Sequence, residues 1–171
     1  AAALYWPALG LCLEHGWRLV TRVRRPPPDP VNLALSYLAT LLTRDIAAMA
    51  LRQGLHPGFG ALHATQDGRP ALALDLVEEF RAPLVEGLAV YLFNNRMLVD
   101  GMFHRGDGGT RLWSPGVKAL VRGYEAWMDR AVKSPRSGLE LSWRRLIDEQ
   151  LVALVRHVEG VEPYRAYEMG Y

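Results

Sequence analysis

Between Asp29 and Gln53 the apolar positions Leu33, Tyr37, Leu38, Leu41, Leu42 and Ile46 recur at intervals of a few residues, the period of an α-helix with a broad buried side. Asp29 is a capping residue and Pro30 suits the first helical position, so the helix is expected to begin there. A shorter apolar helix is expected before it, over roughly Ala2 to Glu14, kinking at Pro7 or tolerating it, with Gly16 as its end. From Trp17 to Pro28 the pattern is that of extended chain, stiffened by three consecutive prolines. Gly54 to Gly60 reads as a loop, and helical spacing resumes from about Pro70 to Asn94, with Pro83 and Gly87 expected to bend or split it. Glycines are too dense between Arg96 and Trp113 for a helix, which predicts a short hairpin turning at Gly106 to Gly109. Ser114-Pro115 opens a helix through Leu120, Tyr124, Trp127 and Met128 to about Lys133. Leu141 to Val158 makes the last, with Trp143, Ile147, Leu151, Leu154 and Val155 on one side. The whole pattern predicts a mostly α protein: a single helical bundle domain over residues 1–171 with a short hairpin-like insertion.

Composition narrows this picture. With 171 residues, half of them hydrophobic, the chain can bury one core. Cys12 is the only cysteine, so no disulfide framework is possible; it reads as a small core residue and fits a reducing cytoplasm. No apolar run is expected to reach the ~20 residues of a membrane span. A net charge of +2 decides little, although every basic residue except Lys118 and Lys133 is arginine, whose planar fork pairs bidentately with phosphate. A GC-rich genome produces the same bias. Arg22, Arg24 and Arg25, following Arg18 and alternating with apolar residues before the proline run, mark a basic edge, for DNA or for solvent alone. A Gly-rich nucleotide loop, a Ser-His-Asp order and zinc-knuckle spacing are all missing, which excludes the functions they carry.

The candidate chemistry lies in GALHATQDGRPALALDLVEEFR, residues 60–81. Asp75 sits in a helix apolar on most sides, where an unpaired carboxylate costs several kcal/mol, roughly, and needs compensation. Glu78 follows one turn later on the same side, and two such carboxylates repel unless a cation or proton is shared between them. Asp67-Gly68 marks a tight turn and Pro70 a helix start, so His63 is brought back toward these acids. One imidazole with two carboxylates and no thiolate suits Mg2+ or Mn2+ better than structural zinc. Each residue also has a plainer reading. His63 alone suits a hydrogen-bonded histidine at a core edge, and Asp75 with Glu78 a solvated helix stripe paired with Arg81 or Arg69.

In chain order, AAALYWPALG, RRPPPDPVNLALSYLATLL and LHPGFGALHATQDGRPALALDLVEEFRAPLVE, with weaker pieces at NNRMLVDGMFHRGDGGTRLWSPG and GVEPYRAY, resemble the C-terminal helical domain of the CRISPR-associated adaptation integrases, the enzymes that insert new spacers into CRISPR arrays. The resemblance implies a metal-dependent DNA endonuclease and integrase that acts by phosphodiester transesterification. It implies Mg2+ or Mn2+ held by a glutamate, a histidine and a later acid, with a further acid one turn before the last. By motif position these are His63, Glu78 and the accompanying Asp75, which ligates, orients His63 or accepts a proton. Arg69 and Arg81 would hold the scissile phosphate or pair the carboxylates. The first glutamate, expected in a Gly-Glu-Gly turn ahead of the opening helix, is not in this sequence, and Glu14 does not match it. Neither is the family's N-terminal β domain. The chain opens on Ala rather than Met, so a fragment, weak or inactive by itself, is expected. The partners implied are double-stranded DNA (protospacer and CRISPR repeat), a second copy in a homodimer, and the small companion adaptation protein. A non-catalytic scaffold of the same fold, binding DNA or a partner, is the alternative.

Overall fold

In the computed structural model, which describes residues 2–169 except Thr65 and Asp67, helices dominate and two short hairpins interrupt them. The Thr65 and Asp67 positions of the expected turn therefore lie outside the described residues. The chain divides into two compact units, each assembled from two stretches: Ala1–Thr40 with Pro83–Ala126, and Leu41–Ala82 with Trp127–Tyr171.

Helix α1 (Ala2–Leu11) contains Pro7 and stops short of Glu14. His15 and Gly16, both at positive φ (56° and 82°), reverse the chain, and Gly10 lets the returning backbone at Leu19 approach so closely that a Cβ would lie 2.2 Å from its carbonyl oxygen. Cys12 is exposed, not a core residue, because it lies beyond the last turn of this largely exposed helix. Helix α2 (Pro30–Arg52) begins where expected, with the Asp29 carboxylate accepting the Asn32 amide at 2.8 Å. Its buried row runs Val31, Ala34, Leu35, Leu38, Leu42, Ile46 and Ala50. Contrary to the sequence expectation, α2 is by length and mean hydropathy long and apolar enough to cross a membrane; Arg44, Asp45 and the buried row are also what a core helix carries.

The expected break at Pro83 is a change of helical pitch. Helix α3 (Ala71–Arg81) passes into a π-helical turn (Ala82–Gly87) and then α4 (Leu88–Asn94). Proline has no amide hydrogen to continue the α ladder, and one widened turn absorbs the fault. The hairpin β1 (Phe103–Gly106) with β2 (Gly109–Leu112) is antiparallel, pairing Phe103 with Leu112 and Gly106 with Gly109. Helix α5 (Ser114–Met128) lies against α4 in the first unit through Gly123, where a Cβ would meet Leu92 at 2.4 Å. Trp17, Phe93 and Phe103 form an aromatic cluster there, with centroids 4.7 to 6.1 Å apart.

In the second unit the sequence expectation needs correction. The helix does not reach Lys133: residues Ala131–Lys133 (β3) pair antiparallel with Glu140–Ser142 (β4). Between them Ser134 accepts from the amides of Arg136 and Ser137 and donates to Glu149, while Gly138 adopts φ 72°. Helix α6 (Trp143–Val158) is capped by Ser142 and buries Trp143, Leu146, Ile147 and Leu151. Arg144 ties it to Asp45 at 3.1 Å and to Asp129 at 3.4 Å. The core of this unit also holds the α3 row Ala71, Leu72, Leu76, Val77 and Phe80 and the α2 residues Leu42, Ile46 and Ala50.

Candidate active site

All three residues singled out for metal chemistry lie in the second unit. After α2 the chain turns at Gly54 (φ 78°), and the loop is pinned to the start of α3 by the Leu72 amide donating to the Pro57 carbonyl at 2.8 Å. Gly60 then crosses the first turn of α3 with no room for a side chain. A Cβ there would stand 2.7 Å from Asp75 Oδ2 and 2.9 Å from the backbone of Ala71.

That close approach brings three consecutive amides onto one carboxylate. Ala61 and Leu62 donate to Asp75 Oδ2 at 2.6 and 3.0 Å, and His63 donates its amide to Oδ1 at 3.0 Å. The imidazole joins them, with Nδ1 at 2.6 Å from Oδ1. A carboxylate offers about four lone-pair positions, and all four are filled. Burial pushes the Asp75 carboxyl up, but the Leu62 amide, the His63 ring and the amides of His63 and Ala61 outweigh it and hold it below the usual aspartate value. The compensation that the sequence seemed to require from a cation is supplied by N–H groups. Asp75 has no lone pair left for a metal; its geometry is that of a residue that orients His63.

Because ionised Asp75 only accepts, Nδ1 of His63 carries a proton, and Nε2 is the ring nitrogen left to take a ligand. The His63 side chain is about one-third exposed, whereas the Asp75 side chain is only 10% exposed. This carboxylate-imidazole pair has the form of a metal-ligating histidine with its outer partner.

Glu78 leaves α3 one turn after Asp75. Its side chain is half-exposed, and Nη1 of Arg81 donates to both of its oxygens at 3.0 Å, so Arg81 pairs a carboxylate, one of the two tasks open to it from sequence. Among the described residues, no three His, Cys, Asp or Glu side chains are grouped closely enough to hold a metal ion. The donor set still fits a hard cation in part: one free imidazole nitrogen and one carboxylate that can exchange its arginine for a metal.

Arg69 is exposed in the turn before α3. The other basic candidates lie in the first unit. Arg22 is committed internally: Nη1 donates to the Val23 carbonyl at 2.9 Å and to Asn32 Oδ1 at 3.1 Å, and Nη2 to Ser36 Oγ at 2.9 Å. That binds the extended segment to α2 and leaves Arg18, Arg24 and Arg25 as its exposed cations. Sequence reasoning overlooked Gly60 and the amides of Ala61 and Leu62, since nothing in a GFG run announces a backbone pressed against a carboxylate twelve to fifteen positions away.

Comparison with known proteins places this geometry in context. The profile of the family described as CRISPR associated protein Cas1 matches residues 1–126. "CRISPR-associated endonuclease Cas1 3" of Thermus thermophilus is 36% identical over 163 residues, 95% of this chain and 49% of that protein. "CRISPR-associated endonuclease Cas1 4" of Methanospirillum hungatei is 32% identical over 168 residues, 96% of this chain and 48% of the relative. Among solved structures, a CAS1 protein from Thermotoga maritima superposes with a TM-score of 0.82 at 27% identity, covering 96% of this chain and 51% of that one. The chain spans about half the length of each.

Proposed function

This chain belongs to the Cas1 family of CRISPR-associated proteins, and from that premise we propose that it carries the catalytic residues of a metal-dependent DNA endonuclease and integrase that inserts spacers into a CRISPR array in the cytoplasm. The carrying observation is the His63–Asp75 pair at 2.6 Å, which orients the imidazole against the helix that also carries a second carboxylate, Glu78. His63 Nε2 and Glu78 would hold Mg2+ or Mn2+. Such an ion, when bound, polarises a phosphoryl oxygen and offsets the charge that builds up in displacement at phosphorus.

The chain's own residues do the rest. Asp75 keeps the proton on Nδ1 and the ring in one orientation. Arg81, beside Glu78, and exposed Arg69, before the start of α3, are the cations proposed to meet a phosphate oxygen. The 3′-hydroxyl of the incoming strand gives its proton to solvent and bonds to phosphorus at the repeat boundary, and the bond from that phosphorus to the 3′-oxygen of the flanking strand breaks, that oxygen taking a proton from solvent. The partners proposed with this reading are double-stranded DNA, a second copy and the companion adaptation protein, with Arg24 and Arg25 as further phosphate contacts.

A second reading, a DNA- or partner-binding scaffold without catalysis, draws on the Arg81–Glu78 pair and on the lack of a three-residue ligand group among the described residues. Two protein ligands hold a hard cation weakly, so feeble activity is expected from this chain alone. Calorimetry with Mn2+ and a strand-transfer assay on labelled DNA, run on the chain and on His63→Ala, separate the readings. Metal-dependent heat and strand transfer, both lost in His63→Ala, are expected. DNA binding without either effect would leave the scaffold.

A further inference from the structure

Beyond α6 the chain turns at Gly160 (φ 75°) and runs back as an extended strap across the second unit. Its anchor is a carboxylate on the site helix. Glu79 accepts the Tyr164 hydroxyl at 2.7 Å, the Tyr167 amide at 2.7 Å and the Gln150 side-chain amide of α6 at 3.2 Å. Gln150, itself buried, also donates to the Arg165 carbonyl at 3.1 Å, so the strap is held from both sides. The neighbouring residue reinforces it: the Tyr167 ring stacks on Phe80 at 5.0 Å and meets Trp143 edge-on at 6.0 Å. Burial, and after it the Glu79 carboxylate, push the Tyr164 phenol well above its ordinary value, so it remains a neutral donor.

Glu79 lies four residues after Asp75, on nearly the same side of α3 and about 6 Å further along its axis. Glu78 flanks Asp75 on the other side. The strap therefore grips α3 one turn from the carboxylate that orients His63. A roll of α3 by about 10° would carry a side-chain tip, about 5–6 Å from the helix axis, through about 1 Å. That exceeds the roughly 0.5 Å tolerance of a working site. Resting on the reading of His63, Asp75 and Glu78 given above, we propose that Glu79 is a positioning residue: by tying α3 to the C-terminal strap and to α6 it sets the roll of the site helix, and with it the directions in which Asp75 and Glu78 point.

The test uses the full chain and four variants: Glu79→Leu, Glu79→Gln, Tyr164→Phe and, as a destabilisation control in the same unit, Arg144→Ala. Two readouts are taken well below the melting temperature: the NMR resonance of the His63 Nδ1 proton shared with Asp75, without metal, and the Mn2+ dissociation constant. Glu79→Leu is expected to shift or broaden that resonance and to weaken Mn2+ binding about tenfold, the usual scale for losing an outer partner of a ligand. Glu79→Gln, which keeps a carbonyl oxygen for the Tyr167 amide, and Tyr164→Phe should stay within about threefold of the parent. Arg144→Ala should lower the melting temperature and leave both readouts in place. The inference is overturned if Glu79→Leu lowers only the melting temperature, or if Arg144→Ala disturbs the His63 resonance equally. Should the parent chain bind no Mn2+, the metal reading fails by itself, and the His63 resonance still decides whether Glu79 positions the site.

Discussion

Replacing Asp75 by asparagine keeps the shape of the side chain and removes half of what it does. The carboxylate takes four N–H groups, two on each oxygen, at 2.6 and 3.0 Å on both sides. An asparagine presents one oxygen and one NH2, so in either flip state two donors face a donor. If Ala61 and Leu62 lose, the loop lifts from α3; if the two His63 donors lose, the imidazole is released. Hydrogen bonds to a charged acceptor are worth about 1.5–3 kcal/mol each, so two lost bonds amount to roughly 3–6 kcal/mol. Ala61 and Leu62 are exposed and water can replace part of this, which places the expected cost near the low end, about 3 kcal/mol. It should appear as local opening of residues 60–63, with α3 and its buried row intact. Amide exchange would show lost protection at Ala61, Leu62 and His63 without comparable loss at Leu76 or Val77. Mn2+ affinity should fall about 10- to 100-fold, the range for a ligand's outer partner. Unchanged exchange at residues 61–63 together with parental metal affinity would refute the role given to Asp75.

Acid should reproduce this opening reversibly. Because the folded Asp75 carboxyl lies below its ordinary value, its contribution is complete above pH about 4 and is lost only as pH falls through the depressed folded value. The amide shifts of Ala61, Leu62 and His63 should therefore titrate together with a midpoint under 3.8; a midpoint above it would reverse the sign argued here. Gly60→Ala tests the close approach. Its Cβ meets an oxygen at 2.7 Å and backbone at 2.9 Å, so a cost of about 1–3 kcal/mol is expected in the docking of the loop. The His63 Nδ1 proton signal should weaken while far-ultraviolet circular dichroism is retained, and a variant with a parental His63 signal would show that the loop tolerates the extra atom.

Local chemistry made much of this molecule legible, and the failures share a cause. Asp29-Pro30 marks the start of α2 because capping and a fixed proline φ act within one turn. Pro83 announces the fault between α3 and α4 for the same reason, and paired glycines announce the first hairpin. The second hairpin escaped notice because its strands are three residues each and mostly exposed, so they carry no alternating pattern. The pairing of His63 with Asp75 was readable in outline from residue types and a turn. The manner of its stabilisation was not: amides have no sequence signature, and the charge of Asp75 is met by backbone that only a glycine allows to come near. Arg22 misled in the same way, since an arginine in an alternating basic stretch looks the same whether its fork faces phosphate or the side chain of Asn32.

The two acids of α3 differ in burial and in the kind of partner they hold. Asp75 is nearly buried and saturated by four fixed donors, so moving it would strand N–H groups and release the loop. Glu78 is half-exposed and accepts two hydrogen bonds from Nη1 of the largely buried Arg81. A residue that must hold another in place gains from the first environment, and a residue that must take up and release a cation during a reaction gains from the second. The rigid half of the site is thus built from backbone and glycine, and the more open half from the exposed Glu78 with its arginine partner. Under the function proposed above, that division would let a helix with a well-packed apolar side carry a ligand that is not locked until the metal arrives.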